Sequence, residues 1–241
     1  MVKMLLDPHI HTKGISHCSQ CYADQLIDIC VRDGIDAIVL TNHYRHSYYQ
    51  SDDKFPEWRQ KYVDEYRITK KEGEKRGVKV FFGLEVTLDE TPRIDYVIYG
   101  LTDTHIEKEM SLATLTQKEL FEYCVAHNAL LYQAHPYRNG TEPQDPRYMH
   151  GIEVNCHPVY NHNDKEKIIT FANEHGLKLS CGSDYHGDTY KPHCGIYVPD
   201  SISDTVELAE FLRRPEQCEL EIHDIIENWR SKHRPGDILT K

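Results

Sequence analysis

No stretch of the 241-residue chain approaches the roughly 18 consecutive apolar residues needed to cross a bilayer. The N-terminus also lacks the basic and apolar regions of a signal peptide, so a cytoplasmic protein without a membrane partner is expected. Positive charge is scarce: a formal net charge of −11 argues against binding long nucleic acid, which calls for a basic face. Cys18-Ser-Gln-Cys21 has no second CxxC to complete a zinc ribbon, and most of the eight cysteines read as core thiols of a reducing compartment. There is no Gly-x-Ser-x-Gly elbow and no glycine-rich phosphate loop, so neither feature competes for the chemistry. Repeats, low-complexity tracts and clean linkers are missing too, and the length suits a single α/β domain with an ample core.

What the chain does have is ligand-type residues at the ends of its apolar runs. The first run, Lys3 to Leu6, leads into Asp7-Pro-His9-Ile-His11. In an extended chain the side-chain period of two puts His9 and His11 on one side, where two neutral imidazoles can grip one metal ion. Asp7 is placed to orient one of the rings. Four further strand-like runs end at Asn42-His43, Gly83-Leu-Glu85, Ala134-His135-Pro136 and Gly182-Ser-Asp184-Tyr-His186. A solitary His-x-His is more often a surface pair, but independent strands rarely all finish in ligand types by chance.

Between these runs the periodicity predicts helices over about 23–33, 56–75, 116–128, 164–175 and 204–213, several followed by a glycine stop. Strand-helix alternation with about seven short buried strands argues parallel pairing, right-handed crossovers and a closed or nearly closed barrel. In such barrels functional residues collect at the C-terminal strand ends, where His9, His43, Glu85, His135 and Asp184 all fall. Imidazoles with carboxylates suit zinc, iron or manganese, and they are too numerous for one tetrahedral ion, so two or three divalent ions are expected. Closely spaced ions make hydroxide available near neutral pH and need no protein nucleophile.

Asp7-Pro-His9-Ile-His11-Thr12, His17 six residues after His11, Thr41-Asn-His43, Gly83-Leu-Glu85, Ala134-His135-Pro136 and Gly182-Ser-Asp184-Tyr-His186 stand in the order of the polymerase and histidinol phosphatase (PHP) superfamily, which the chain resembles over roughly residues 3–190. The resemblance implies a distorted, TIM-like seven-stranded (β/α)7 barrel; we take it to span residues 1–200, with 201–241 expected as a C-terminal helical extension packed on it. It implies a trinuclear site that hydrolyses phosphoesters. His9, His11, Glu85 and Asp184 would bind the first ion, and His17, His43 and His186 the second. Glu85 would bridge to a third ion, held also by His135 and a residue after the Glu85 strand, taken here as Asp95 rather than His105. Asn42 departs from the family's usual aspartate, keeping a hydrogen bond but losing a charge.

The expected activity is hydrolysis of a small phosphorylated molecule, with Glu85, Asp184 and Arg138 at the reacting centre. Arg138 either clamps the phosphate bidentately or is a solvated loop charge. Tyr44, Tyr48 and Tyr49 either wall the pocket or stack on a substrate ring. His157, His162, Lys191 and His193 either line the pocket or, more often for residues so placed, face solvent, and Cys156 and Cys194, near the proposed site, stay open. The rival activities are a protein-tyrosine phosphatase, a short-oligonucleotide exonuclease, an amidohydrolase (disfavoured by the lack of a bridging lysine) and a non-catalytic metal-binding domain. Because the strand-end residues are too many for one site, elemental analysis of the reconstituted protein should find more than one transition-metal ion per chain. At most one ion would remove the cluster.

Overall fold

The computed structural model describes residues 3–49, 51–90, 92–106, 111–155, 165–187 and 194–222. Cys156, His157, His162, Lys191, His193 and the stretch from residue 223 onward therefore lie outside the described residues. The strands are β1 (Lys3–Ile10), β2 (Ala37–Leu40), β3 (His43–Tyr44), β4 (Lys79–Thr87), β5 (Asp95–Tyr99), β6 (Leu130–Gln133), β7 (Gly151–Asn155), β8 (Lys178–Gly182), β9 (Gly195–Pro199) and β10 (Glu219–Glu221). The helices are α1 (Ala23–Asp33), α2 (His46–Tyr49), α3 (Phe55–Arg76), α4 (Asp103–Ile106), α5 (Gln117–Ala126), α6 (Lys165–His175) and α7 (Thr205–Leu212).

Local chemistry explains the helix limits. Thr116 caps α5 in a capping box with Glu119, and Asp204 caps α7 by accepting from Val206 and Glu207. Gly34 and Gly77 end α1 and α3 at φ 74° and 79°, the left-handed turn that costs glycine no Cβ clash. α1 buries Leu26, Ile27 and Cys30 on one face, and α3 carries Trp58, Tyr62 and Val63 inward.

The sheet runs β10-β9-β1-β2-β4-β5-β6-β7-β8, with β3 added beside β4. Its wall of β1, β2, β4, β5, β6, β7 and β8 curls until the ends of β1 and β8 meet. Ile10 forms a parallel bridge with Tyr185, and Asp184 N donates to His9 O at 2.8 Å. The result is a nearly closed seven-stranded barrel, with β3, β9 and β10 as additions to the expected strand count. The expectation of parallel pairing fails at two places. β5 runs antiparallel to both β4 and β6, and β9 antiparallel to β1. The link from Thr87 to Asp95 is too short to carry a crossover helix, so the chain must turn back as a hairpin. α7 packs on β4 and β5, and β10 extends the edge at β9.

Closure requires β8 to approach β1 closely. A Cβ on Gly182 would sit 2.4 Å from His9 Cβ and 2.5 Å from Glu153 Oε1. Gly182→Ala should therefore destabilise the fold by roughly 1–3 kcal/mol through overpacking, read as a lower denaturant midpoint. An unchanged midpoint would contradict this approach of β8 to β1.

Candidate metal centre

One rim of the barrel gathers the strand-end residues. Among the described residues, three groups offer ligand atoms within 4.8 Å of one another: His9, His11, Glu85 and Asp184; His11, His43 and His186; and Glu85, Asp95 and His135. The two ring nitrogens His9 Nε2 and His11 Nε2 lie 3.4 and 3.0 Å from Asp184 Oδ1. Glu85 is fully buried at the centre. Its Oε1 is 2.9 Å from His135 Nε2 and 3.3 Å from His9 Nε2, while its Oε2 faces His11 Nε2 at 3.6 Å and touches His43 Nδ1. β3 runs in register beside β4, with His43 paired to Glu85, so this neighbourhood follows from the ladder.

Asp95 reaches the same rim because β5 runs backwards. Its first residue pairs with Thr87 at the end of β4, and Asp95 Oδ2 stands 3.7 Å from His135 Nε2. His105 is turned away, its Nδ1 bonded to Thr102 and its ring against His127. His135 and Asp184 both have left-handed backbones, at φ 28° and 50°, as does Tyr137 at φ 68°. Non-glycine residues pay on the order of 1–3 kcal/mol for this, a strain that collects at functional sites.

The hydrogen bonds set the tautomers. Glu153 Oε1 lies 2.8 Å from His9 Nδ1, which fixes a proton there and leaves Nε2 as the nitrogen that a cation can take. Ser16 Oγ is 3.1 Å from His11 Nδ1 and accepts from His43 N. It donates to Asn42 Oδ1, which also accepts from Thr12 N, while Asn42 Nδ2 donates to Thr12 Oγ1. Asn42, where the family usually has an aspartate, thus keeps its place in this network without adding a charge. Asp7 does not orient a ring. It accepts from the backbone N–H groups of His9 and Ser183 and from the Ser183 hydroxyl, tying β1 to the end of β8. The carboxylate that orients His9 is Glu153, which the sequence reading did not single out. The signal available was a charged residue inside the apolar strand Gly151-Ile-Glu-Val-Asn155.

His17 is not brought to the groups. The turn after β1 points its ring outward onto Tyr48, with centroids 4.7 Å apart, and directs its neighbour Cys18 towards His43 instead. Tyr44 and Tyr49 are buried in an aromatic cluster with Phe55, Trp58 and Tyr62, so of the three tyrosines Tyr48 stands nearest the imidazoles, 6.3 Å from the His43 ring. Arg138 Nη1 donates to Asp184 Oδ2 at 2.9 Å and is largely shielded, so it is not a solvated loop charge. Cys194 is buried in the core beside Leu5 and Ile10.

The donor set fits divalent cations. His9 Nε2 and His11 Nε2 are buried without a hydrogen bond of good geometry, an arrangement costly unless a cation satisfies it. Burial opposes ionisation of Glu85 and Asp184, yet the surrounding imidazoles hold both carboxyls well below their usual range. Burial likewise works against protonating His9 and His43. The charges of Glu153, Asp184 and Glu85 raise His9 well above its usual value, and Glu85 leads the groups that lift His43 to about 9. Burial and the nearby His186 and His43 push His11 well below it. Cations entering these groups must displace protons, so metal affinity weakens as the pH is lowered. Glu85→Gln keeps size but removes the charge at the centre. It should lose at least one ion by elemental analysis, with the far-ultraviolet circular dichroism retained. Full metal content in that variant would contradict a bridging position.

No family model matches the sequence, and no curated protein matches it significantly. Solved structures do match. A two-domain protein from Bacteroides vulgatus, containing a predicted PHP-like metal-dependent phosphoesterase, superposes with a TM-score of 0.66 at 20% identity. The match covers 92% of this chain and 65% of that one, so the chain spans less than two thirds of that protein's length. PsfC from Pseudomonas syringae matches with a TM-score of 0.63 at 18% identity over 96% of this chain and 99% of that one. An amidohydrolase from Chromobacterium violaceum with bound sulfate matches at 0.57 and 14% over 88% and 98%. The barrel closed between β1 and β8 thus shares its fold with the two-domain Bacteroides vulgatus protein, with PsfC and with the Chromobacterium violaceum amidohydrolase.

Proposed function

We propose that the chain is a divalent-metal-dependent phosphoesterase acting on a small phosphorylated molecule, with residues 1–200 as the working barrel and the described part of the extension, residues 201–222, packed on it. The observation that carries this reading is Glu85, a fully buried carboxylate within 3.6 Å of ring nitrogens from His9, His11 and His135 and in contact with His43. A buried carboxylate whose two oxygens face imidazole nitrogens on several sides is a bridging donor set for two or three ions of the zinc, iron or manganese type once the rings give up their protons. Such ions supply a water of lowered pKa and neutralise charge on phosphoryl oxygens.

The chain's own groups prepare the site. Glu153 holds a proton of His9 on Nδ1 and Ser16 does the same for His11, so in both rings Nε2 is the nitrogen turned inward for a cation. Arg138 fixes one oxygen of Asp184, and its planar fork brings a cation that matches phosphoryl oxygens to the rim. A guanidinium beside the carboxylates favours a phosphorylated substrate over the neutral amides of an amidohydrolase. Tyr48 stands at the outer edge, its ring 6.3 Å from that of His43 and already stacked on His17, and phosphotyrosine or a short oligonucleotide end stays within the substrate class.

The test is a hydrolysis screen of the metal-reconstituted protein on phosphomonoesters, diesters, short oligonucleotides and a neutral carboxylic ester. A charge-assisted pair in a shielded site is worth roughly 1.5–3 kcal/mol, so Arg138→Ala should lose on the order of tenfold to a hundredfold in kcat/KM on the phosphoester. Arg138→Lys should fall between, and the ester should be unaffected by either. Bound metal with no phosphoester turnover would favour a non-catalytic domain.

A further inference from the structure

The turn between β1 and α1 directs a thiol at the second imidazole group. Cys18 Sγ lies 3.1 Å from His43 Nε2, and the same thiol is bonded by His186. His43 Nε2 and His186 Nε2 are 3.4 Å apart. With metal–nitrogen bonds of about 2.0–2.1 Å, the nitrogen–nitrogen edge of a tetrahedral site is about 3.4 Å, and with a metal–sulfur bond of about 2.3 Å the sulfur–nitrogen edge is about 3.6 Å. The nitrogen pair already has that spacing, and the sulfur needs to move by only about half an ångström.

The turn is held in place rather than adventitiously close. Lys13 N donates to Cys21 O at 2.8 Å, Gln20 N to His186 O at 2.7 Å, and Ser19 Oγ to His11 O at 3.3 Å. An independent pointer to a ligand comes from His11, which clusters with His43 and His186: its Nε2 is buried and lacks a hydrogen bond of good geometry, and its ring stacks 4.2 Å from that of His186. The remaining histidine of the turn, His17, faces Tyr48.

We infer that Cys18 is a thiolate ligand of the second ion, completing a mixed sulfur and imidazole site with His43 and His186 in place of His17. This rests on reading the three groups as metal sites and deepens it, because a thiolate selects softer ions. The second position would take zinc, ferrous iron or cobalt in preference to manganese or magnesium, while the carboxylate-rich groups stay permissive. As the ion binds, a metal–sulfur bond forms, and the S–H proton passes to solvent. Cys18 is exposed, so its sulfur sits on the open side of that ion.

Metal-free full-length protein titrated with Co(II) tests this. The expected result is a near-ultraviolet sulfur-to-cobalt charge-transfer band that saturates with one of the bound ions. Cys18→Ser should abolish the band and weaken one ion at least about tenfold, with the others still bound. Cys18→His should restore the ion count without the band, and His17→Ala should leave band and count unchanged. A full complement of cobalt without the band, or a band that survives Cys18→Ser, would overturn the assignment while leaving the metal centre standing. No cobalt uptake by the wild type would overturn the metal centre and this assignment together.

Discussion

Burial of the Glu85 carboxylate is the constraint on which the rest of the molecule depends. Taking such a charge out of water costs several kcal/mol unless partners surround it. Here the partners come from separate elements: His9 from β1, His43 from β3 beside its own strand, and His135 from the end of β6. No local segment could supply them. The barrel must bring these strand ends to one rim, and the same convergence that satisfies Glu85 produces the ligand groups. Asp184 repeats the logic on the far side, held by His11, His9 and Arg138.

Around that centre the backbone is bent to serve the side chains. His135 and Asp184 take left-handed conformations that ordinary side chains avoid, and Gly182 clears the space in which β8 meets His9. The reversal of β5 matters equally. In a parallel strand Asp95 would start at the far rim, but running backwards it begins where β4 ends. Thr87 Oγ1 then donates to Asp95 Oδ1 at 2.5 Å, leaving Oδ2 towards His135.

The outer layer divides its aromatic residues between support and access. Tyr44, Tyr49, Phe55, Trp58 and Tyr62 interlock beneath the loop that follows His43, and the Tyr62 hydroxyl donates to Asn42 O. This cluster anchors the strand carrying His43 while consuming tyrosines that composition alone would assign to a pocket. Tyr48, half-buried and packed on His17, is left at the edge.

Much of this protein was legible in its sequence because short-range rules decide it. The helices from Ala23, Phe55, Gln117 and Thr205 follow from apolar periodicity, caps and glycine stops, which act within a few residues. The histidines and acids at apolar-run ends mark one rim, because every parallel strand of a barrel presents its C-terminal end there. What depended on distance through space was decided by the tertiary structure. Whether Asp7 or Glu153 holds a ring, whether His17 or Cys18 turns inward, and which tyrosine reaches the edge are matters of a side chain's direction across a turn. A rotation of one residue reverses each of them, and spacing along the chain carries no record of it. The antiparallel β5 was decided by the length of a hairpin, and the burial of Glu85 by strands that meet only once the barrel has closed.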